Sequence, residues 1–183
     1  MYSIDILKEE HANISRMLEI LKSMCCKVLE GAEVSDEDMR RVIDFIKKYV
    51  EDFHHHKEEN FLYSEMLKVS PTAETMVNGM MADHVSGHKY MLSFENALDL
   101  YNKNPKTEYK LDILTQAMNY AKLMKLNTDK ESNVVYSFAK SGLSPEIQEE
   151  IDAKVKEQVE DPLHKDVINQ QLGHLVNLAA KYE

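Results

Sequence analysis

Five long stretches of the chain carry apolar residues three and four positions apart, and each is fenced from the next by a helix stop or start. The first runs from about Ser3 to Leu29. Leu7, Ile14, Leu18, Leu21, Cys25 and Val28 form its apolar stripe, and Gly31 stands where a C-terminal cap glycine belongs. Ser35, followed by Asp36, Glu37 and Asp38, offers a capping hydroxyl and first-turn acids, so a second helix is expected to reach about Lys68. Ser70-Pro71 and Ser144-Pro145 each set a cap residue before a proline at the first helical position, and open the third and fifth segments. The third is expected to end near Tyr101 and the fourth to span about Glu108 to Lys140. Asp161-Pro162 interrupts the fifth, so a bend or break is expected there.

Four long helices on short loops predict an all-α protein: an up-down-up-down four-helix bundle over about 3–140, with an additional C-terminal helical segment over about 144–182. The whole chain, 1–183, reads as a single domain, and its length suffices to bury a core. Five Gly, four Pro and no Trp argue against a turn-rich β architecture.

The inward faces hold the functional question, because eight His stand in this chain and several fall on apolar ridges. On the first helix, Leu7-His11-Ile14-Leu18 is one face. On the second, Val42-Ile46-Val50-His54-Glu58-Leu62 is apolar but for one His and one Glu, whereas Lys48-Asp52-His55-Glu59 is polar. His54 and Glu58 are therefore expected in the core, and His55 and Glu59 in water. On the third, the inward row is read as Val77-Met81-His84-His88-Met91. On the fourth it is read as Ala117-Tyr120-Met124-Asn127-Glu131-Val134-Phe138.

In an antiparallel bundle, residues meet only at equal height. His11 lies 18 residues before Leu29, His54 18 after Asp36, His84 17 before Tyr101 and Asn127 19 after Glu108. At about 1.5 Å per residue, all four sit roughly 27 Å from one end. Glu58, His88 and Glu131 lie one turn away. Four imidazoles, two carboxylates and an amide at one level are costly to bury without a cation. Two divalent metals would neutralise that cost, with glutamates bridging and imidazoles as terminal ligands. A donor set without thiolate suits iron, and manganese or zinc less selectively. The methionines on these faces read as core filling, His56 as a surface residue, and His164 and His174 as structural.

Charge narrows the partners. Lys and Arg total 22 against 32 Asp and Glu, a formal net charge of −10. A surface this acidic repels phosphate backbones and anionic headgroups, so neither nucleic acid nor a membrane surface is an expected partner. No apolar run approaches the roughly 18 residues of a membrane span. Met1-Tyr2-Ser3-Ile4-Asp5 lacks the marks of a signal peptide. Cys25 and Cys26 are adjacent, diverge on a helix and read as reduced thiols, which fits a cytoplasmic protein.

Several of these stretches resemble motifs of the hemerythrin-like (HHE cation-binding) family. His11 with Glu10 before it looks like the family's first-helix His. The run from Phe53 through His54-His55-His56-Lys57-Glu58-Glu59 to Tyr63 resembles its HHxKEE motif, and Asp83-His84-Val85-Ser86-Gly87-His88 its third-helix motif. The run from Asn127 through Thr128-Asp129-Lys130-Glu131-Ser132-Asn133-Val134-Val135 to Tyr136 looks like the fourth-helix HxxKE motif, with Asn in the His place. The resemblance implies a non-haem, carboxylate-bridged di-iron centre: Glu58 and Glu131 bridging, His11 and His54 on one iron, His84 and His88 on the other, with position 127 completing it. Known members bind dioxygen, sense oxygen or iron, or handle nitric oxide or peroxide. Asn127 departs from the pattern, leaving an open position or a place for a phenol, for which Tyr120 is the best placed in sequence. The expected function is binding of dioxygen, NO or peroxide for sensing, storage or protection. The open position motivates a rival, a di-iron enzyme reducing NO or peroxide. A third reading is a metal-free helical interaction module whose polar cluster is merely hydrogen-bonded.

Overall fold

The computed structural model describes residues 1–183 and is all-helical, with six helices and no strand. Helix α1 is Tyr2–Leu29, and Gly31 follows with φ of 104°, a conformation that favours glycine. Helix α2 is one continuous rod over 36–66. It is α-helical over Asp36–Phe45 and Ser64–Met66, and π-helical over Ile46–His55 and Glu58–Tyr63. Helix α3 is Pro71–Lys103. Helix α4, over 107–142, is α-helical except for a π segment at Glu131–Val135. The C-terminal segment breaks at Asp161 into α5, Pro145–Glu160, and α6, Pro162–Tyr182.

The capping chemistry works as the sequence expects. The hydroxyls of Ser35, Ser70 and Ser144 accept from the backbone N–H of Asp38, Ala73 and Ile147. Asp161 accepts from Leu163 N and His164 N, which explains a clean break where a bend was the alternative. Helix α1 has no side-chain cap of its own. Asp152 on α5 supplies one, accepting from Tyr2 N at 2.9 Å, Ser3 N at 2.8 Å and Ser3 Oγ at 2.6 Å.

Each of α1 to α4 lies against the next, and α4 returns against α1; α5 and α6 lie alongside on the α1/α2 face. The buried apolar residues form two separate clusters. One contains Ile14, Val50, Met91 and Met124; the other contains Leu7, Leu62, Met80 and Val135. Each of the four helices therefore passes from one cluster to the other, and successive helices do so in opposite directions. His11, His54, Glu58, His84, Asn127 and Glu131 all fall in the gap between the clusters, so the level inferred by counting residues is a real layer of the structure.

Candidate metal centre

Regular 3.6-residue periodicity places His11 inward on α1, between Leu7 and Ile14. On α2 the π turns change the outcome. An i→i+5 turn rotates less per residue, so consecutive side chains share a wider face. Phe53, His54, His55, Lys57 and Glu58 are all buried as a result. This corrects the expectation that His55 faces water: it is 6% exposed, and its ring lies flat on His84 with centroids 3.6 Å apart and planes 10° apart. Glu59 is likewise not free in solvent, since its Oε1 accepts from His84 Nδ1 at 2.7 Å.

On α3 the inward row is Val77, Met80, His84, Gly87 and Met91, not the row through Met81 and His88. The absent side chain of Gly87 lets α3 approach α4; a Cβ there would stand 3.2 Å from Met124 Sδ. His88 is turned outward, with its side chain 52% exposed and donating through Nδ1 to Glu51. On α4 the expected row holds through Glu131. The π turn then advances it by one residue, so Val135, Tyr136 and Ala139 are buried and Val134 is exposed.

The structure brings two donor groups together. His11, His54, Glu58 and Glu131 each offer a ligand atom within 4.8 Å of the others, as do His55, Glu58 and His84. Glu58 belongs to both. The Nε2 atoms of His11 and His54 are 3.1 Å apart; Glu58 Oε2 lies 3.5 Å from the Nε2 of both His54 and His84. Glu131 reaches His11 Nε2 at 3.3 Å and His84 Nε2 at 3.4 Å. The outer nitrogens are fixed: His11 Nδ1 is hydrogen-bonded to Ser132 Oγ at 2.7 Å, and His54 Nδ1 donates to Glu10 Oε2 at 2.9 Å. Such partners orient imidazoles for a metal and raise their basicity. Glu10 also meets the buried Lys57 ammonium at 3.0 Å.

Two phenols close the cluster. Tyr63 Oη donates to Glu131 Oε1 at 2.6 Å, and Tyr136 Oη to Glu58 Oε1 at 2.5 Å. The expected inward rows contain neither. Tyr120, the phenol expected from the sequence, is instead buried among apolar residues with its hydroxyl unpartnered. Asn127 lies in the layer but donates to Glu131 Oε1 at 3.1 Å. Tyr136 ends the fourth-helix stretch that resembles the family, but the π shift keeps it off the expected inward row; Lys57 and Glu59 stand within the HHxKEE motif, which is the available signal for them.

The charges are set against one another. Burial, and then the charge of Glu131, pushes the Glu58 carboxyl well up, which favours its protonated form. Burial pushes Glu131 up as well, but the neighbouring His11 and His84 imidazoles outweigh it and hold this carboxyl well below the usual range. Burial lowers His54 and His55 well below the ordinary imidazole value, leaving both neutral and able to bind a metal. Burial also opposes charge on His84, but Glu131 and Glu59 overcome it and raise His84 to about 10.

The residues fit a cation. His55 Nε2, His84 Nε2, Glu58 Oε2 and Glu131 Oε2 are buried without any hydrogen-bond partner. Such orphans are rare in folded proteins and each is costly, whereas divalent ions held by the two donor groups would satisfy them. Imidazole and carboxylate without thiolate suit iron, manganese or zinc.

An all-helical protein with a buried layer of imidazoles and paired carboxylates between two apolar clusters has the makings of a helical metal-binding protein. The family model described as the Hemerythrin HHE cation binding domain matches residues 2–139, and the chain belongs to that family. The match spans α1 to α4 and leaves α5 and α6 beyond it. No curated protein and no solved structure matches the chain. No helix is long and apolar enough to cross a membrane.

Proposed function

We propose that α1 to α4 form a four-helix bundle holding two iron ions in a non-haem, carboxylate-bridged centre, and that the centre binds dioxygen, NO or peroxide for sensing, storage or protection. The observation that carries this reading is Glu58, whose carboxylate belongs to both donor groups. A carboxylate with a cluster of imidazoles on either side is placed to bridge. Glu131, which reaches His11 and His84, supplies the second bridge. Bound iron would supply redox chemistry and a coordination position for a small ligand. The chain does the rest. His11 and His54 bind on one side and His84 on the other, while Tyr63 and Tyr136 hold protons at the carboxylates. The two apolar clusters exclude water above and below. Free Cys25 and Cys26 support a cytoplasmic setting.

A di-iron enzyme reducing NO or peroxide is the second reading. The two buried phenols favour it, because reduction of either substrate consumes protons beside the site.

Metal content per chain, with absorption spectra before and after exposure to oxygen, tests the proposal. About two irons with ferric charge-transfer bands on oxidation are expected; no first-row metal near stoichiometry sinks it. Steady-state consumption of NO or peroxide with a reductant separates the enzyme from the binding protein.

A further inference from the structure

Asn127 stands where the family pattern expects an imidazole, and its side chain is already engaged. Its Nδ2 donates to Glu131 Oε1 at 3.1 Å and lies 3.6 Å from Met80 Sδ. A neutral amide is a poor substitute for a nitrogen ligand to iron. His84 would then face its metal with one imidazole where the other position has two.

His55 answers that shortage from a different helix. It comes from α2, one residue after His54, and the π turn buries it. Its ring is parallel to that of His84, at 3.6 Å, and His55, Glu58 and His84 each set a donor atom within 4.8 Å of the others. The Nε2 atoms of both stacked rings are buried and unpartnered. A stack serving only to fill space would be better made by an apolar ring, because two orphaned nitrogens each cost a lost hydrogen bond. We propose that His55 is the nitrogen ligand that replaces position 127, so that the second metal is held by His55, His84 and Glu58. This rests on the two-metal reading above.

The replacement also decides which metal meets the outside. A pocket of about 440 Å³, lined among others by Glu51, His55, Glu59, His84 and His88, reaches these two imidazoles from the surface. His11, His54, Glu58 and Glu131 are all buried and do not line this pocket. The small ligand therefore arrives at the metal held by His55 and His84.

The test is a cobalt(II) titration of the metal-free full chain, read by visible absorption and metal content. The variants are His55→Phe, which keeps an aromatic ring on His84, His55→Gln and Asn127→Ala. Circular dichroism confirms that each stays helical. The expected result is two equivalents for the unaltered chain and for Asn127→Ala, and one equivalent for both His55 variants, with about half the absorption lost. Two equivalents in His55→Phe, or loss of one equivalent in Asn127→Ala, overturns the His55 assignment and leaves the two-metal reading standing. An unaltered chain that takes no cobalt overturns both. A single equivalent that His54→Ala removes and His55→Phe leaves in place also overturns the assignment.

Discussion

The Tyr136 hydroxyl donates a 2.5 Å hydrogen bond to Glu58 Oε1 and stands 3.1 Å from His11 Nε2. It thereby ties the end of α4 to the carboxylate that both donor groups share. Tyr63 does the same for Glu131. Removing either hydroxyl leaves a buried carboxylate oxygen short of a partner, at a cost of about 1–3 kcal/mol. Tyr136→Phe and Tyr63→Phe are expected to lower the urea midpoint of the metal-free protein accordingly. Tyr120→Phe is the control, because its buried hydroxyl has no partner to lose; it should be neutral or stabilising. Equal losses at all three positions would show that the hydroxyls at the cluster are not special.

Behind His54 stands a buried ion pair. Glu10 accepts from His54 Nδ1 and meets Lys57 Nζ, which also donates to Phe53 O at 2.7 Å. Burial pushes the Glu10 carboxyl up and the Lys57 ammonium down to about 8, and their attraction only partly offsets it. Glu10→Ala would leave the Lys57 charge buried without its partner, costing about 3–5 kcal/mol. Glu10→Ala with Lys57→Met should recover much of that loss in urea unfolding. Both forms should bind metal about 10–100-fold more weakly at the His54 side, because the imidazole loses the acceptor that orients it. Unchanged affinity in Glu10→Ala would remove Glu10 from the support of the site.

His84 carries a definite pH signature. The metal-free native state raises its pKa from 6.5 to about 10, so folding tightens its proton. The stability it contributes is full below about 6.5, the unfolded value, and is lost as pH rises through about 10. Glu58, also raised, acts with the same sign from its own lower starting value. The difference in urea stability between the unaltered chain and His84→Gln should therefore shrink as pH rises over that window. Those protons must leave before the same atoms bind a cation. Metal affinity should strengthen with pH over the window, and binding at neutral pH should release protons into a weakly buffered indicator solution. A difference that grows with pH would mean that the proton on His84 is not held by its carboxylate neighbours.

The parts of this arrangement that were legible in the sequence are those that regular helices determine. His11 on α1 and the row from Ala117 to Glu131 follow the 3.6-residue period and are buried; the ridge through His54 and Glu58 is buried too, although it runs into the π turns of α2. Counting from the helix ends gave the common level because the rise per residue is nearly constant. What escaped depends on departures from that period. The π turns brought in His55 and Tyr136 and pushed out Val134. On α3 two rows, one through Met81 and His88 and one through Met80 and Gly87, fit the period equally well. The choice was made by how closely α3 and α4 approach, which no single-helix pattern contains.

The C-terminal segment also has a role that sequence order conceals. Asp152 on α5 caps α1 from about 150 residues away, accepting from the first free backbone N–H groups of that helix. Asp152→Ala should cost about 1 kcal/mol, the usual value of a helix cap, and Asp152→Asn less. Amide exchange in the first turn of α1 should accelerate in the same variant. A stability loss with no change in that turn would place the role of Asp152 elsewhere.

Three neighbouring substitutions separate the bridging carboxylate from its surroundings. Glu58→Ala removes the ligand that both donor groups share and should abolish most binding at both positions. Glu59→Ala, which the sequence pattern alone would make silent, removes the acceptor of His84 Nδ1. It should weaken the His84 position about 10–100-fold and spare the position of His11 and His54. His88→Ala touches an exposed imidazole whose hydrogen bond goes to Glu51, so metal content should be unchanged and stability should stay within about 0.5 kcal/mol. Cobalt titration of the three variants reads all of this directly. Should His88→Ala lose metal as Glu58→Ala does, then Gly87 is not the inward residue of α3 and the row through His88 is the functional one.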